Sequence, residues 1–125
     1  MLLNLSNHPS PLWPDNQQAA ARGQFGEIAD LPFPAIDPDC DTAEVEQMAA
    51  QYEALVAERL QGAAAPAVHL MGEMSFTVAL TARLQRRGLP VYCSTTRRQV
   101  IEEKDGRKTT QFVFVRFRQY PAVQS

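Results

Sequence analysis

Val68-His69-Leu70-Met71-Gly72-Glu73-Met74-Ser75-Phe76-Thr77 is the stretch that decides the fold. An apolar run ends, a short loop of small and polar residues follows, and a helix-like pattern begins. Residues 67–71 are almost continuously apolar, as a strand covered on both faces should be. The same event occurs where Leu2-Leu3-Asn4-Leu5 runs into Ser6-Asn7-His8-Pro9-Ser10. A third apolar run, Pro90-Val91-Tyr92-Cys93, ends in Ser94-Thr95-Thr96-Arg97-Arg98. Strands that alternate with helices predict a right-handed, mostly parallel sheet. In an open parallel sheet the ligand crevice lies outside the carboxyl ends of the strands. The polar residues of this chain therefore gather where such a fold binds things, in loops suited to anions such as phosphates.

Working outward, residues 2–6 read as a buried first strand. Pro9, Pro11 and Pro14 forbid regular helix until about residue 15. Asp15 can cap a short helix over Gln17 to Arg22 that ends near Gly23. Residues 26–31 form a second strand closed by Pro32 and Pro34. After the acidic loop 35–42, Asp41 or Thr42 opens a helix over 43–61, with Val45, Met48, Ala49, Tyr52, Leu55, Val56 and Leu60 as its apolar stripe. Asp41 has Glu44 at the offset of a capping box but is not Ser or Thr, so the match is loose. The next helix carries Phe76, Val78, Ala79, Leu80 and Leu84 and stops at Gly88. A fourth strand covers 90–94. Gln99–Glu102 and Gln111–Phe117 then flank Lys104-Asp105-Gly106-Arg107, and Asp-Gly between two strand-like runs signals a hairpin. Along 112–118, strict alternation puts Phe112, Phe114, Arg116 and Arg118 on one face and Val113, Val115 and Phe117 on the other. The expected architecture is α/β: a single Rossmann-like domain over residues 1–125, with a mostly parallel sheet, helices on both faces and a C-terminal antiparallel β-hairpin.

A chain of 125 residues with 45% hydrophobic residues suits one folded domain. A net charge of −2 argues against a general coat for long nucleic acid. Cys40 and Cys93 form no CxxC, and with His8 and His69 as the only histidines no zinc-ligand spacing exists. No metal and no cofactor are expected. No segment approaches the roughly 18–20 apolar residues of a membrane span, and the start lacks the pattern of a signal peptide. The expectation is a cytoplasmic protein with no membrane partner.

Three loops could carry chemistry. In the first, Ser6, Asn7 and Ser10 offer hydroxyl and amide donors beside backbone amides, and His8 has an intrinsic pKa near neutrality. His69, inside the third strand, reads as a satisfied core residue. In the second, Gly72 allows close backbone approach, and Ser75 or Thr77 can cap the helix and present amides. Glu73 could orient an attacking hydroxyl or act as nucleophile. In the third, Ser94, Thr95, Thr96, Arg97 and Arg98 read together as a phosphate clamp, since guanidinium binds phosphate bidentately. Trp13 could stack on a base or seal the first loop. GxGxxG, a Walker loop and a Ser/His/Asp order are absent. The reaction most accessible to these groups is metal-free phosphodiester cleavage, in which a ribose 2′-hydroxyl attacks its own adjacent phosphate. His8, Ser10 and Glu73 are the candidate catalytic residues. The others named here, His69 apart, are candidate ligand contacts.

The run Asn4-Leu5-Ser6-Asn7-His8-Pro9-Ser10, followed by Gln17 in a helix, resembles the start of small CRISPR-associated proteins built from a minimal CARF-like (CRISPR-associated Rossmann fold) domain. The turn Gly72 to Thr77 occupies the position of a second ligand loop. The resemblance implies a homodimer that binds a cyclic oligoadenylate messenger across its two-fold axis. It implies a ring nuclease that cleaves the messenger and ends type III CRISPR signalling. By the same resemblance Ser6, Asn7, His8 and Ser10 would line the first loop, and Gly72, Ser75 and Thr77 the second. Three other readings stand beside it: a non-catalytic sensor or sponge for the same ligand, an unrelated nucleotide hydrolase or glycosyl-transfer enzyme using Glu73, and a structural or interaction protein that uses the apolar hairpin.

Overall fold

Five strands make one sheet in the order β2-β1-β3-β4-β5. They are β1 (Leu2–Ser6), β2 (Ile28–Asp30), β3 (Ala67–Met71), β4 (Val91–Glu102) and β5 (Lys108–Gln119). Three α-helices alternate with them: α1 (Asp15–Phe25), α2 (Thr42–Arg59) and α3 (Met74–Arg86). A 3₁₀ turn covers Ser10–Leu12. This is a computed structural model, and it describes residues 1–123. β1 pairs in parallel with both β2 and β3, β3 pairs in parallel with β4, and β4 pairs antiparallel with β5. The chain steps from β1 outward to β2, then crosses back over β1 to β3. The direction of travel thus reverses between β1 and β3, the place where a doubly wound sheet opens a crevice at its carboxyl edge.

Period-two alternation divides the core between the two sheet faces. Leu3, Leu5, Val68 and Leu70 pack with Val45, Ala49, Val56, Phe76, Leu80 and Leu84 of α2 and α3. Leu2 and Ala67 pack with Trp13, with Ala21 of α1, and with Phe114 and Phe117 of β5. Every residue of β1 is buried, including Asn4 at 1% exposure.

Local chemistry sets the helix ends. α1 is longer than its sequence suggests, because Gly23 stays helical and Gly26 ends the helix. Gly26 adopts φ 86°, and its N–H bonds the Arg22 carbonyl; a left-handed terminal residue is what glycine permits most cheaply. At α2 the loosely matched box is complete. Asp41 accepts from the Glu44 amide at 2.9 Å, and Glu44 accepts from the Asp41 amide at 3.4 Å. The cap of α3 is Glu73, not Ser75 or Thr77.

The C-terminal third departs most from expectation. β4 runs unbroken from residue 91 to 102, so the expected strand 90–94 and the first hairpin strand are one. Ser94–Arg98 is strand, because in a two-stranded ribbon with exposed faces polar and β-branched residues suit the pleat. β4 pairs with β3 only at Val91 and Tyr92, and beyond that point it holds β5 alone. Thr95 pairs with Arg116 and Thr96 with Phe114, which leaves Val115 as an extra residue, a β-bulge. The bulge breaks the alternation read from sequence. Phe114 and Phe117, expected on opposite faces, are both buried in the same cluster with ring centroids 5.0 Å apart. The base of the ribbon is thus covered by α1 and Trp13, while Phe112, Val100, Ile101 and Val115 stay exposed.

Candidate functional site

Strand register builds a polar row across the sheet. Asn4 of β1 is the register partner of Asp30 on β2 and of His69 on β3. In-register residues of adjacent strands share a face, so carboxylate, amide and imidazole stand side by side. The Asn4 Nδ2 donates to Asp30 Oδ1 at 2.8 Å and to the His8 carbonyl at 2.9 Å. Its Oδ1 lies 2.8 Å from His69 Nδ1 and accepts from Ser6 Oγ at 2.9 Å. Asp30 also accepts from the Ser10 amide at 2.8 Å and from the Ser10 hydroxyl at 2.6 Å. Burial raises the Asp30 pKa, but the bonds from Ser10 and Asn4 outweigh it and hold the carboxyl below its usual range.

These bonds fix the loop after β1. The His8 carbonyl accepts from Asn4 Nδ2 and from Trp13 Nε1, the latter at 3.0 Å. The His8 amide reaches Ser6 Oγ at 3.2 Å. The His8 backbone is therefore clamped, whereas its side chain is exposed. His69 is 2% exposed. Its ring meets Trp13 and Phe117 in edge contacts, with centroids 5.2 and 5.6 Å away. Burial, with the charge of nearby His8, drops its pKa to about 4, so it is neutral near pH 7. It is not the satisfied core residue expected: Nδ1 is bonded, but Nε2 has no partner among the described residues.

A cavity of about 540 Å³ opens beside this row, at the β1/β3 switch point. Ser6, Asn7 and His8 wall it from the β1 loop, and His69, Met71 and Gly72 from the end of β3. Leu12, Trp13, Pro14 and Gln17 close one side, and Ser94, Thr96, Phe112 and Phe114 of the ribbon the other. A second depression of similar volume lies between the starts of α2 and α3, around Val45, Met74 and Val78, but no buried polar side chain lines it.

Seven of the sequence-selected residues line the first cavity: Ser6, Asn7, His8, Trp13, Gly72, Ser94 and Thr96. The rest do not line it. Ser10 is buried and tied to Asp30. Glu73 spends its carboxylate on capping, accepting from the Ser75 amide at 2.6 Å, from the Ser75 hydroxyl and from the Phe76 amide. Bonds from the Ser75 hydroxyl and amide hold its pKa below the usual range. Ser75 faces the second depression, and Thr77 is buried in α3 outside the first cavity. Trp13 is buried, donates its indole N–H to the His8 carbonyl, and lines the cavity from the loop side. Gly72 is required by packing: a Cβ there would sit 2.2 Å from the Phe33 ring.

The five-residue clamp does not form as a unit. Successive strand residues face opposite ways, so Ser94, Thr96 and Arg98 share the cavity face, opposite Phe117, Phe114 and Phe112. Thr95 and Arg97 face away, and the Thr95 hydroxyl bonds the Arg116 backbone at the bulge. Gln17, Met71, Phe112, Phe114 and above all His69 line the cavity without having been selected. A polar residue inside an otherwise apolar strand, as Asn4 and His69 are, was the available signal. Among the described residues no group of three metal-ligating side chains gathers, and no helix is long and apolar enough to cross a membrane.

The chain matches the family model described as the uncharacterized protein MJ1673 family over residues 1–118, and it belongs to that family. No curated protein and no solved structure matches it.

Proposed function

We propose that the chain is a Rossmann-like, homodimeric phosphodiesterase that binds a cyclic oligoadenylate and opens it without a metal. The observation that carries this reading is the cavity at the β1/β3 switch point, where the exposed His8 imidazole hangs from a clamped backbone beside hydroxyl and apolar walls. The resemblance of Asn4–Ser10 and Gln17 to minimal CARF-like proteins supplies the ligand class. Exposed apolar side chains at the rim, Leu12 and Phe112, offer surfaces to adenine faces. Ser94, Thr96 and the Asn7 side chain offer neutral hydrogen-bond groups to phosphate and ribose, with Arg98 further along the same face. One such half-site fits part of a ring, so a symmetric ligand suits two copies related by a two-fold axis.

In the reaction a ribose 2′-oxygen attacks the adjacent phosphorus and the P–O5′ bond breaks. The 2′-hydroxyl gives up its proton, the 5′-oxygen gains one, and the products carry a 2′,3′-cyclic phosphate and a 5′-hydroxyl. The cavity contributes alignment, and His8 contributes a proton carrier. Loss of the ring would end whatever signal it carries.

The test is incubation of purified protein with cyclic tri-, tetra- and hexa-adenylate in EDTA, resolved by chromatography. Linear products with 2′,3′-cyclic phosphate ends are expected, and His8→Ala should lower turnover by about 10²-fold or more while sparing most of the binding. Three intact rings would overturn cleavage. Retention of an intact ring would favour a sensor or sponge instead.

A further inference from the structure

We infer that His69 is the residue that reads the ribose: its Nε2 accepts a hydrogen bond from a ligand 2′-hydroxyl in the switch-point cavity. The inference rests on the cyclic oligoadenylate reading and deepens it.

The orientation of the Asn4 amide is not free. Its Nδ2 stands 2.8 Å from Asp30 Oδ1 and 2.9 Å from the His8 carbonyl, and both of these only accept. Turning the amide over would set its oxygen against a carboxylate and a carbonyl. Asn4 Oδ1 therefore faces Ser6 and His69 as an acceptor. His69 Nδ1, 2.8 Å away, must then donate. A neutral imidazole carries one proton, so Nε2 is left with a bare lone pair. That atom is buried and unpartnered among the described residues, on a residue that lines the cavity. Trp13 and Phe117, edge-on to the ring, hold its orientation. The titratable groups near it are His8, which lines the same cavity, and Asp30, one residue removed through Asn4.

A buried acceptor left unpaired costs stability, and a ligand that brings a donor recovers that loss. Phosphate cannot do so, because its oxygens only accept. Among the groups of an oligoadenylate, the ribose 2′-hydroxyl is the donor that separates RNA from DNA. A site built around a hydroxyl also rejects the analogue that lacks it, since the acceptor then stays unpaired. The register Asp30–Asn4–His69 thus converts a carboxylate on β2 into a fixed tautomer on β3.

The test has two arms. In the ligand-free protein at pH 7, nitrogen-15 NMR of the histidine side chains should show His69 protonated at Nδ1 and unprotonated at Nε2. A proton on Nε2 overturns the inference without touching the functional reading. In the second arm, binding of cyclic tri-, tetra- and hexa-adenylate is compared with binding of their all-2′-deoxy counterparts, in brief incubations on ice. Wild-type protein should prefer the ribose form of the ring it retains by about tenfold or more, the size of one buried hydrogen bond. His69→Phe should lose that preference, and His69→Gln, whose amide oxygen can stand near Nε2, should keep part of it. If His69→Phe does not fold, His69→Gln and the NMR arm still decide. An undiminished ribose preference in both variants overturns the inference alone. Binding of none of the rings by the wild type overturns the functional reading, and the inference with it.

Discussion

Lowering the pH from 7 to 5 should destabilise the protein through one residue, His69. Its imidazole has a pKa of 6.5 in the unfolded chain and about 4 when folded, chiefly because burial penalises the charged form. The sign follows from proton counting. Between these two values the unfolded chain binds a proton that the folded chain excludes, so stability falls as pH falls. The contribution is intact above about 6.5 and is lost progressively toward 4. At pH 5 the linkage relation puts the loss at about 2 kcal/mol. For a chain of this length that lowers the melting temperature by roughly 6–10 °C. The carboxylates with depressed pKa values, Asp30, Glu53, Glu73 and Asp105, do not confuse the measurement. Their contribution is present above their unfolded values of 3.8 to 4.5 and disappears only below them. The assay is urea unfolding at pH 7, 6 and 5 for the wild type and for His69→Phe, which keeps an aromatic ring against Trp13 and Phe117 but cannot titrate. The wild type should lose stability on this schedule, and the variant should give a nearly flat profile from pH 7 to 5. Equal slopes for the two proteins would refute the assignment of His69 as a buried, neutral group.

Asp30→Ala removes the acceptor of three hydrogen bonds, from the Ser10 amide, the Ser10 hydroxyl and Asn4 Nδ2; it should cost about 2–4 kcal/mol in chemical denaturation, allowing for partial solvent access. Gly72→Ala places a methyl on the Phe33 ring, itself edge-on to Phe76 at 5.2 Å, and should cost about 1–3 kcal/mol. Adding Phe33→Ala should cost less in the Gly72→Ala background than in the wild type, read as a coupling energy in a double-mutant cycle. Arg98→Ala should weaken retention of an anionic ring and reduce its salt dependence, whereas Arg97→Ala, on the other face of β4, should leave both nearly unchanged. Equal effects of the two arginine changes would contradict the strand geometry.

The legible parts of this chain are those whose signal is local. Buried strands at β1 and β3 show as apolar runs, the stripe of α2 shows as a period, and Asp105-Gly106 marks the hairpin turn. What stayed hidden depends on partners. Gly23 reads as a helix stop until Gly26 is seen to take the left-handed position. Ser94–Arg98 reads as a loop because it is polar, yet it lies in a ribbon strand whose exposed faces tolerate polarity. The bulge at Val115 carries no local mark, so strict alternation assigned Phe114 and Phe117 to opposite faces. The cavity wall was largely readable from the loops after β1 and β3. Its most informative member was not, because only register sets Asn4 between Asp30 and His69.

That row explains how the switch point holds polar groups inside the core. A parallel sheet buried on both faces ordinarily fills β1 and β3 with aliphatic side chains. Here β1 carries Asn4, with Ser6 at its end, and β3 carries His69, on the face that α1 and Trp13 cover. Alone, either would be a buried liability. Together with Asp30 they satisfy every atom of the Asn4 side chain and one of the two imidazole nitrogens, and they anchor Ser10 and the His8 carbonyl. The deficit of the network is thus concentrated in one buried atom, Nε2 of His69, on a residue that lines the cavity. The bulge matters for the same reason: by turning Phe117 onto the side of Phe114, it packs an aromatic edge against the His69 ring and leaves Phe112 at the rim. Deleting Val115 would leave Phe117 two positions after Phe114, so regular alternation would keep both on one face. Phe117→Ala, by contrast, removes the aromatic edge from His69 and should broaden the His69 imidazole signal in NMR with the sheet otherwise intact. An unchanged signal would mean that Trp13 and Asn4 suffice to hold the ring.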